Sequence, residues 1–349
     1  MKNLWDFINK FYSPADYAAL EAQRKKWSLS RPLAGAKILD ATPVFRNTLV
    51  KYAVLLDAGA DLTISVGKNI PFAPDIVELI PSFGIRVANE NILKEKFDAV
   101  ADCAGRHIHI DSRCGYAELT RSGLEYYSNS KSPVFSVDSG ILKRFETTLG
   151  TGESFVRAMK HLGFNDFEGK KIIVFGGGKV GRGAAFFSAQ AGADVSIVDP
   201  AAIPLPPQIK YINAADKSAV TGNIENAWCV VSATGYAGAL KEFAPFLQKK
   251  SILIANMGVE DEFGEKLAPE RVLNNKLPLN FILDEPTKIN YIDPSMALSN
   301  AAILKLLQNE LQAGINLPPQ ELEMEIIEDI RNAGVMNKEI NLILQETNL

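Results

Sequence analysis

A group of closely spaced glycines near the middle of the chain is the sequence feature that most clearly indicates a binding site. The apolar pattern of Lys171–Phe175 predicts a buried parallel strand, and Gly176, Gly178 and Gly181 follow it before a helix of small residues. Such glycines allow a tight turn, a close approach of backbone to a pyrophosphate and close packing of helix on strand, with the phosphate at the helix N-terminus. The loop residues predicted to contact a dinucleotide are Gly176, Gly178, Lys179, Val180 and Gly181.

An acidic residue distinguishes between the two nicotinamide dinucleotides. Asp199 ends the next predicted strand, Val195–Val198, where a carboxylate accepts hydrogen bonds from the ribose hydroxyls of NAD. The same carboxylate would repel the 2′-phosphate of NADP. Because Pro200 follows and no arginine stands close behind it, the sequence predicts NAD as the cofactor.

Two later strand ends fit the same domain. Ser232–Gly235 and Ala255–Gly258 place small residues where parallel strands end, and such ends line the crevice that holds the nicotinamide half of the cofactor. Taken singly, each segment is explained more simply as a plain strand-to-loop turn, but together and in order they favour a cofactor edge. The predicted contacts are Ala233, Thr234, Gly235, Asn256, Met257 and Gly258.

Short apolar runs alternate with helical patterns along most of the chain, which predicts βαβ units and parallel sheets. The predicted strands are 37–40, 61–66, 84–88, 97–103, 134–137, 170–175, 195–198, 229–232, 252–256 and 281–283. The predicted helices lie within 4–28, at 48–58, 74–81 and 145–162, from about 293 to 312, and as a pair within 319–349 that is split at Gly334.

Composition excludes several classes of function. The 349 residues carry a formal charge of −4, which gives no basic excess for nucleic acid. The chain has only three cysteines and three histidines, without CxxC spacing, so a metal site is not expected and a reducing cytoplasm is favoured. No apolar run reaches the roughly 20 residues of a membrane span, so no membrane partner is expected.

Several motifs in order resemble S-adenosylhomocysteine hydrolase. Ser136–Ser154 is similar to the hinge segment of that family, and the glycine loop, Ala233–Gly235, Asn256–Gly258 and Asp293–Asn300 follow in the family's order. The resemblance implies an α/β protein of two Rossmann-like doubly wound domains, with an NAD-binding domain inserted in a flavodoxin-like substrate domain, as in formate and glycerate dehydrogenases. The implied parts are a substrate domain at 1–150, an NAD domain at 151–292 and a helical return at 293–349.

The resemblance also implies functional residues outside the glycine loop. Those enzymes keep NAD bound, oxidise a ribose hydroxyl, eliminate or add at the neighbouring carbon and then reduce the ketone. Asp102 falls at a position where the family has an acidic residue. The resemblance also implies a homodimer or a homotetramer. The implied cofactor contacts are Thr120, Ser122 and Asn290, and the implied substrate contacts are Thr42, Asn69 and Asp293.

Departures from the family lie where its chemistry takes place. Three positions where the related hydrolases use histidine are Asp40, Val259 and Asp293 in this chain. The family's hinge lysine falls on Leu142, with Lys143 one step away. We therefore expect redox chemistry at a carbinol carbon of a small-molecule substrate other than S-adenosylhomocysteine.

Hydride transfer from an alcohol needs a base and a group that holds the developing oxyanion. Asp102, Lys143 and Glu146 are the candidates by position, although Lys143 is equally compatible with a solvated helix start and Glu146 with a helix-dipole role. His107 and His109 would point to one side if Arg106–Asp111 is extended, which suggests proton transfer or anion binding, with Arg106 or Arg113 adding positive charge. Two polar loop residues are an equally simple interpretation.

Two other functions fit the same sequence. One is an NAD-dependent dehydrogenase of a small hydroxy or amino acid, in which NAD is an exchangeable cosubstrate. The other is a non-catalytic NAD-binding regulatory protein. Retention of NAD separates the first from an internal redox cycle, and variants of Asp102 and Lys143 test the second.

Overall fold

The computed structural model describes residues 2–67, 70–249 and 251–346, and two compact units are formed within them. The first unit is made of the residues up to Phe145 together with those from Ile289 onward, and the second unit is Glu146–Lys288. Both boundaries lie a few residues before the positions drawn from the sequence.

The strands alternate with helices, as the apolar patterns predict. In chain order the strands are β1 (Lys37–Asp40), β2 (Asp61–Ile64), β3 (Arg86–Val87), β4 (Ala99–Asp102), β5 (Tyr116–Glu118), β6 (Pro133–Ser136), β7 (Lys171–Phe175), β8 (Asp194–Asp199), β9 (Ile209–Asn213), β10 (Cys229–Ser232), β11 (Leu253–Asn256) and β12 (Gly314–Asn316). The α-helices are α1 (Leu4–Ile8), α2 (Ala18–Ser30), α3 (Thr48–Asp57), α4 (Pro74–Leu79), α5 (Arg121–Tyr126), α6 (Leu142–Arg144), α7 (Thr151–His161), α8 (Lys179–Gln190), α9 (Lys217–Glu225), α10 (Ala244–Leu247), α11 (Ile289–Leu307), α12 (Gln320–Asn332) and α13 (Asn337–Glu346).

The first unit is built on a parallel sheet. Within the described residues its strand order is β12-β6-β5-β4-β1-β2-β3. The central order β2-β1-β4-β5-β6 is the flavodoxin arrangement, and the two-residue edge strand β3 extends it to the 3-2-1-4-5-6 order of doubly wound sheets. Strands β2 and β3 are added on one side of β1 and β4 to β6 on the other, so the carboxyl ends of β1 and β4 border the crevice where such sheets bind ligands.

The second unit is a smaller parallel sheet of the same type. Its order, β11-β10-β7-β8-β9, starts at β7 and reverses between β7 and β10. Buried apolar residues cover both faces of this sheet, which is why its strands read as apolar runs. Helices α7 and α8 touch through glycines, because a Cβ on Gly152 would lie 2.3 Å from the backbone of Gly183. The predicted fold class, two Rossmann-like doubly wound domains, is confirmed.

Some predicted elements are wrong, for identifiable reasons. The apolar run at 281–283 is not a strand, because Leu279–Ile282 forms a 3₁₀ turn that buries Leu279 against the second sheet. A short apolar run cannot by itself separate a strand from a buried turn. The long helix predicted at 145–162 begins as a π-helix over Phe145–Gly150 before α7. Strands β5, β9 and β12 were not predicted, since they are short or partly polar.

The segment Arg106–Asp111 is a series of turns rather than an extended strand. As a result His107 is buried at 3% exposure while His109 is exposed, so the two rings do not share one face. Over the described ranges, no helix combines the length and apolar character required to span a bilayer.

Candidate functional site

The glycine loop of the second unit lies where β7 passes into α8. Gly176 has a φ of +97°, and a Cβ at this position would lie 2.4 Å from the carbonyl oxygen of Ala233 at the end of β10. A Cβ on Gly181 would lie 1.9 Å from the carbonyl oxygen of Gly176. Both positions therefore require glycine, one for conformation and space and the other for space alone.

The start of α8 fits a pyrophosphate. Gly178 is its N-cap, it makes no side-chain capping bond, and no heavy atom lies within 4 Å of the position of a Cβ. Because a helix N-terminus presents N–H donors and a positive dipole end, an anion is stabilised there. The open space at Gly178 is what a closely approaching phosphate needs.

Asp199 is brought to the same loop at the end of β8. One carboxylate oxygen accepts a hydrogen bond from the Gly177 N–H at 2.7 Å, and the other accepts from the Ala201 N–H at 2.9 Å. Arg182 then donates to the Gly177 carbonyl at 2.8 Å and holds the loop from the helix side. The carboxylate is half-buried beside the glycines, which is where a ribose-binding acid is needed.

A second polar cluster lies at the ends of β10 and β11. The Asn256 Oδ1 accepts from the Ser232 hydroxyl at 2.9 Å and from the Gly258 N–H at 3.0 Å. Glu262 is fully buried and accepts from the N–H and hydroxyl of Thr234, each at 2.8 Å, and from the Gly235 N–H at 2.7 Å. Burial raises the pKa of Glu262.

Glu262 was missed by the sequence analysis. It lies in a loop with several other acids, and nothing local marks it as the one that turns inward. The predicted residues that the structure gathers at this edge of the second sheet are Gly176, Gly178, Lys179, Val180, Gly181, Asp199, Ala233, Thr234, Gly235, Asn256, Met257 and Gly258.

In the first unit two buried carboxylates hold one loop. Asp102 and Glu118 are register partners at the ends of β4 and β5. Asp102 accepts from the N–H groups of Cys103 and His107 at 2.8 and 2.9 Å. Glu118 accepts from the next two N–H groups of the loop, those of residues 104 and 105, at 3.0 and 3.1 Å. Residues 103–107, termed here the clamped loop, are therefore fixed from both strands.

The same carboxylates bind side chains behind the loop. The Tyr127 hydroxyl donates to Asp102 at 2.6 Å, and burial raises the pKa of this tyrosine strongly. The Thr120 hydroxyl donates to Glu118 at 2.6 Å and accepts from the Gly123 N–H at 3.0 Å, so it also caps α5. The predicted catalytic acid Asp102 is thus occupied by three donors.

A small pocket opens at the ends of β1 and β2 of the first unit. It is lined by Thr42, Ser65, Gly67 and Arg106 among others. The imidazole Nε2 of His107 lies 2.9 Å from the Ser65 hydroxyl, just behind this lining. Burial is the main cause that lowers the pKa of His107 to about 4, so its ring is neutral at pH 7. The structure brings Thr42 and His107, which were predicted for different roles, to one place.

Two acids that the family resemblance places at histidine positions are used internally. Asp40 is fully buried in an ion pair with Lys51, and its Oδ1 accepts from the Thr42 N–H at 2.9 Å. Asp293 is buried and accepts from the N–H groups of Ala19 and Leu20 at 2.8 and 2.9 Å, which caps α2. Desolvation raises the pKa of Asp293 to about 7, against the effect of these two bonds.

The remaining predicted residues belong partly to the first unit and partly to the second. Lys143 is buried in the first unit at 3% exposure, within α6, whose first N–H donates to Glu323 at 3.0 Å. Glu146 is half-buried at the start of the π-helix of the second unit. The predicted cofactor residues Thr120, Ser122 and Asn290 belong to the first unit, and Asn69 lies outside the described residues.

These features define the class of the second unit as an NAD-binding Rossmann domain. A family model described as "Putative NAD(P)-binding" matches residues 164–263, a range that includes the glycine loop, Asp199 and Glu262. With the relatives below, this match confirms NAD, the cofactor predicted from the sequence.

The chain is similar to adenosylhomocysteinases. It is 29% identical to that of Halobacterium salinarum over 216 residues, which cover 52% of this chain and 49% of the relative. It is 24% identical to that of Thermotoga maritima, covering 86% of this chain and 88% of the relative. The match to the Halobacterium protein thus spans about half the length of that relative.

A solved structure supports the fold. One of the chains of dipicolinate synthase from Bacillus halodurans superposes with a TM-score of 0.53 at 11% sequence identity, covering 79% of this chain and 99% of that chain. At this identity the similarity concerns the fold alone.

Proposed function

We propose that this protein is an NAD-dependent enzyme that performs redox chemistry at a carbinol carbon of a small molecule other than S-adenosylhomocysteine. The observation that carries the proposal is a contrast between two kinds of residue. The glycine loop and Asp199 retain the geometry of a dinucleotide site. In contrast, Asp40 is paired with Lys51, and Asp293 accepts hydrogen bonds from the first turn of α2. Neither carboxylate is therefore available to replace a catalytic histidine.

Bound NAD supplies the acceptor for a hydride from the alcohol carbon. The residues of this chain would bind and orient the cofactor. The N-terminus of α8 would hold the pyrophosphate and Asp199 would accept from the ribose hydroxyls, while the Thr234–Gly235 turn is fixed by Glu262. The hydrogen bonds that fix the glycine loop and the Thr234–Gly235 turn are formed by the fold itself, so little ordering of these segments is needed on binding.

Proton transfer is assigned to the first unit. The Nζ of Lys143 is the proposed acceptor of the hydroxyl proton, because a lysine buried at 3% exposure is the type of side chain that exchanges a proton in an active site. Neutral His107, whose Nε2 lies 2.9 Å from the Ser65 hydroxyl, is a second proposed proton-transfer group. Asp102 is proposed as a positioning residue, since its oxygens already accept from Cys103, His107 and Tyr127. Glu146 is kept as a further candidate base.

The reaction is tested directly with S-adenosylhomocysteine and the pure protein. The proposal expects no release of adenosine at a catalytic rate, and a rapid release would overturn it. Mass spectrometry of small molecules that co-purify with the protein would identify the substrate class. Double variants of Lys143 and His107 that remain folded yet support the same cell function as the wild type would favour a non-catalytic protein instead.

Retention of NAD separates the two enzymatic possibilities. If NAD stays bound through gel filtration, an internal oxidation and reduction cycle is favoured. If it is lost, the alternative is an NAD-dependent dehydrogenase of a small hydroxy or amino acid. The absorbance at 340 nm during turnover gives the same distinction, because only net dehydrogenation accumulates NADH.

The cofactor site is tested by two variants and a control. Asp199→Asn should weaken NAD and relieve the repulsion of the 2′-phosphate, so the ratio of NADP to NAD affinity rises. Gly178→Ala should weaken both cofactors, because a methyl group enters the space at the start of α8. Gly222→Ala, in open space within α9, should leave both affinities unchanged. Equal cofactor affinities in all three variants would contradict the assigned site.

Cellular location and assembly are also proposals. Cys103, Cys114 and Cys229 are buried and form no disulfide within the described residues, which supports the reducing cytoplasm expected from the sequence. A homodimer or homotetramer is supported by the family resemblance. Light scattering after gel filtration would show two or four times the chain mass of 38.1 kDa if the proposal holds.

A further inference from the structure

We propose that Arg106 and the pocket around it form a binding site for an oxyanion, a carboxylate or a phosphate group, carried by the substrate. The inference rests on the proposed function, since it specifies the substrate class of that enzyme. It depends only on residues of the first unit. Four observations support it. They are the hydrogen bonds that hold residues 103–107, the surroundings of the Arg106 guanidinium, the partners of the nearby carboxylates and the unpartnered ring nitrogen of His107.

The clamped loop presents Arg106 from a rigid backbone. Four of the five N–H groups of residues 103–107 donate to Asp102 or Glu118, and the N–H of Arg106 is the exception. Ala104 has a φ of +61°, a left-handed conformation that costs a non-glycine residue free energy. A fold that holds such a conformation with two buried carboxylates positions the side chain that follows it.

The guanidinium of Arg106 packs on Gly67. A Cβ on Gly67 would lie 1.9 Å from Nη2 and 2.0 Å from Cζ of Arg106, so the arginine occupies the space that any other residue at 67 would fill. Arg106 is half-buried, and it makes no hydrogen bond or ion pair with any residue in the described part of the chain. Arg113, by contrast, is exposed and pairs with Asp98 at 3.0 Å.

The carboxylates close to the pocket already have hydrogen-bond or ion-pair partners other than Arg106. Asp102 and Glu118 accept from N–H and hydroxyl groups, and Asp40 is paired with Lys51. Arg106 makes no ion pair with any of these carboxylates, so its guanidinium donors remain available at the crevice of the sheet. A half-buried guanidinium without an acceptor is poorly satisfied, and its planar fork of donors matches a carboxylate or phosphate.

A second side chain near the pocket also lacks a partner. His107 is only 3% exposed, and its Nδ1 has no hydrogen-bond partner in the described structure. Its other ring nitrogen contacts Ser65, which lines the pocket together with Thr42. Hydroxyls of these two residues supply the neutral donors that usually complete an oxyanion site.

Binding of simple anions tests the site without the substrate. The probes are sodium malonate and inorganic phosphate, titrated by calorimetry into the full-length protein at constant ionic strength set with sodium chloride. The variants are Arg106→Gln, Gly67→Ala and the matched control Arg113→Gln. Gly67→Ala keeps the charge but displaces the guanidinium, which is the end of a flexible side chain and can move without unfolding the protein.

The proposal expects the wild type to bind at least one probe, and the tighter probe identifies the class of oxyanion. Arg106→Gln and Gly67→Ala should weaken that binding by roughly ten- to a hundredfold, the range typical of charge-assisted hydrogen bonds. Arg113→Gln should bind within twofold of the wild type. Unchanged affinity in Arg106→Gln and Gly67→Ala, an equal loss in Arg113→Gln, or no anion binding by the wild type would each overturn the site.

The outcome is independent of the proposed redox function. Calorimetry with these anions needs neither NAD nor turnover, and the cofactor variants lie in the second unit. If anion binding fails while NAD binding persists, the site is wrong and the proposed enzyme class stands. If anions bind at Arg106 but no redox activity is found, the proposed function fails and the site remains.

Discussion

The buried ion pair between Asp40 and Lys51 should be a strongly coupled element of the first unit. Both side chains are 0% exposed, and Asp40 also accepts from the Thr42 N–H. Asp40→Asn would leave a buried ammonium without a counter-charge, and Lys51→Met would leave a buried carboxylate with one described donor. Either change removes compensation from a charge that water cannot reach.

The magnitude follows from this burial. Breaking a buried ion pair by removing one partner costs about 3–5 kcal/mol, a large part of the 5–15 kcal/mol by which domains are usually stable. Replacing both partners removes the charges together, and the amide oxygen introduced by Asp40→Asn would still accept from the Thr42 N–H. We therefore expect the double variant to be less destabilised than the sum of the two single variants by about 2–3 kcal/mol or more.

Urea unfolding followed by tryptophan fluorescence measures these free energies. Two of the three tryptophans, Trp5 and Trp27, lie in the first unit and Trp228 lies in the second. A Trp228→Phe background therefore makes the signal report on the first unit alone, which avoids averaging two transitions.

A surface pair provides the control. Lys96 and Asp111 are joined at 3.0 Å, but their side chains are 85% and 61% exposed. Lys96→Met should change the free energy of unfolding by no more than about 0.5 kcal/mol. Single variants of the buried pair that behave like this control, or additive effects in the double variant, would refute the reasoning.

Three further predictions concern stability. Gly181→Ala should lower the free energy of unfolding by about 3 kcal/mol because its Cβ meets a backbone oxygen, while Gly222→Ala should raise it by roughly 0.5–1 kcal/mol; urea midpoints moving together would contradict this. His107→Gln should remove a pH dependence of the free energy of unfolding. The wild type should lose stability as pH falls from 6.5 toward 4, at up to about 1.4 kcal/mol per pH unit, because the unfolded chain binds the proton first. Parallel stability–pH curves for the two proteins would argue against a neutral buried ring. Asp102→Asn should lower the free energy of unfolding by about 2–4 kcal/mol, since an amide cannot accept from three donors. The control Asp111→Asn should leave that free energy nearly unchanged. Similar losses in the two variants would show that the clamped loop is not held as described.

Much of the cofactor site could be predicted from residues near one another in the chain. Gly176 and Gly181 provide the tight turn and the close approach of helix to strand that their spacing predicts, and Asp199 ends β8 beside them. A strand, a tight turn and a helix impose this local spacing on glycine. Glu262 could not be found this way, since it reaches Thr234 only after β10 and β11 pair. For the first unit, the sequence pointed to Asp102, whose catalytic role stays a prediction, but not to the three donors that its carboxylate accepts.

The sequence by itself determined the alternation of strand and helix, the glycine loop and the choice of NAD, because each depends on periodicity or on spacing within one βαβ unit. Only the tertiary structure decided how the polar residues of the first unit are used. Asp102 and Glu118 become neighbours through the register of β4 and β5, and Arg106 reaches Gly67 through the loop that they hold. Contacts of this kind depend on which strands pair and on which side chains remain uncompensated after burial, and neither is encoded in local spacing.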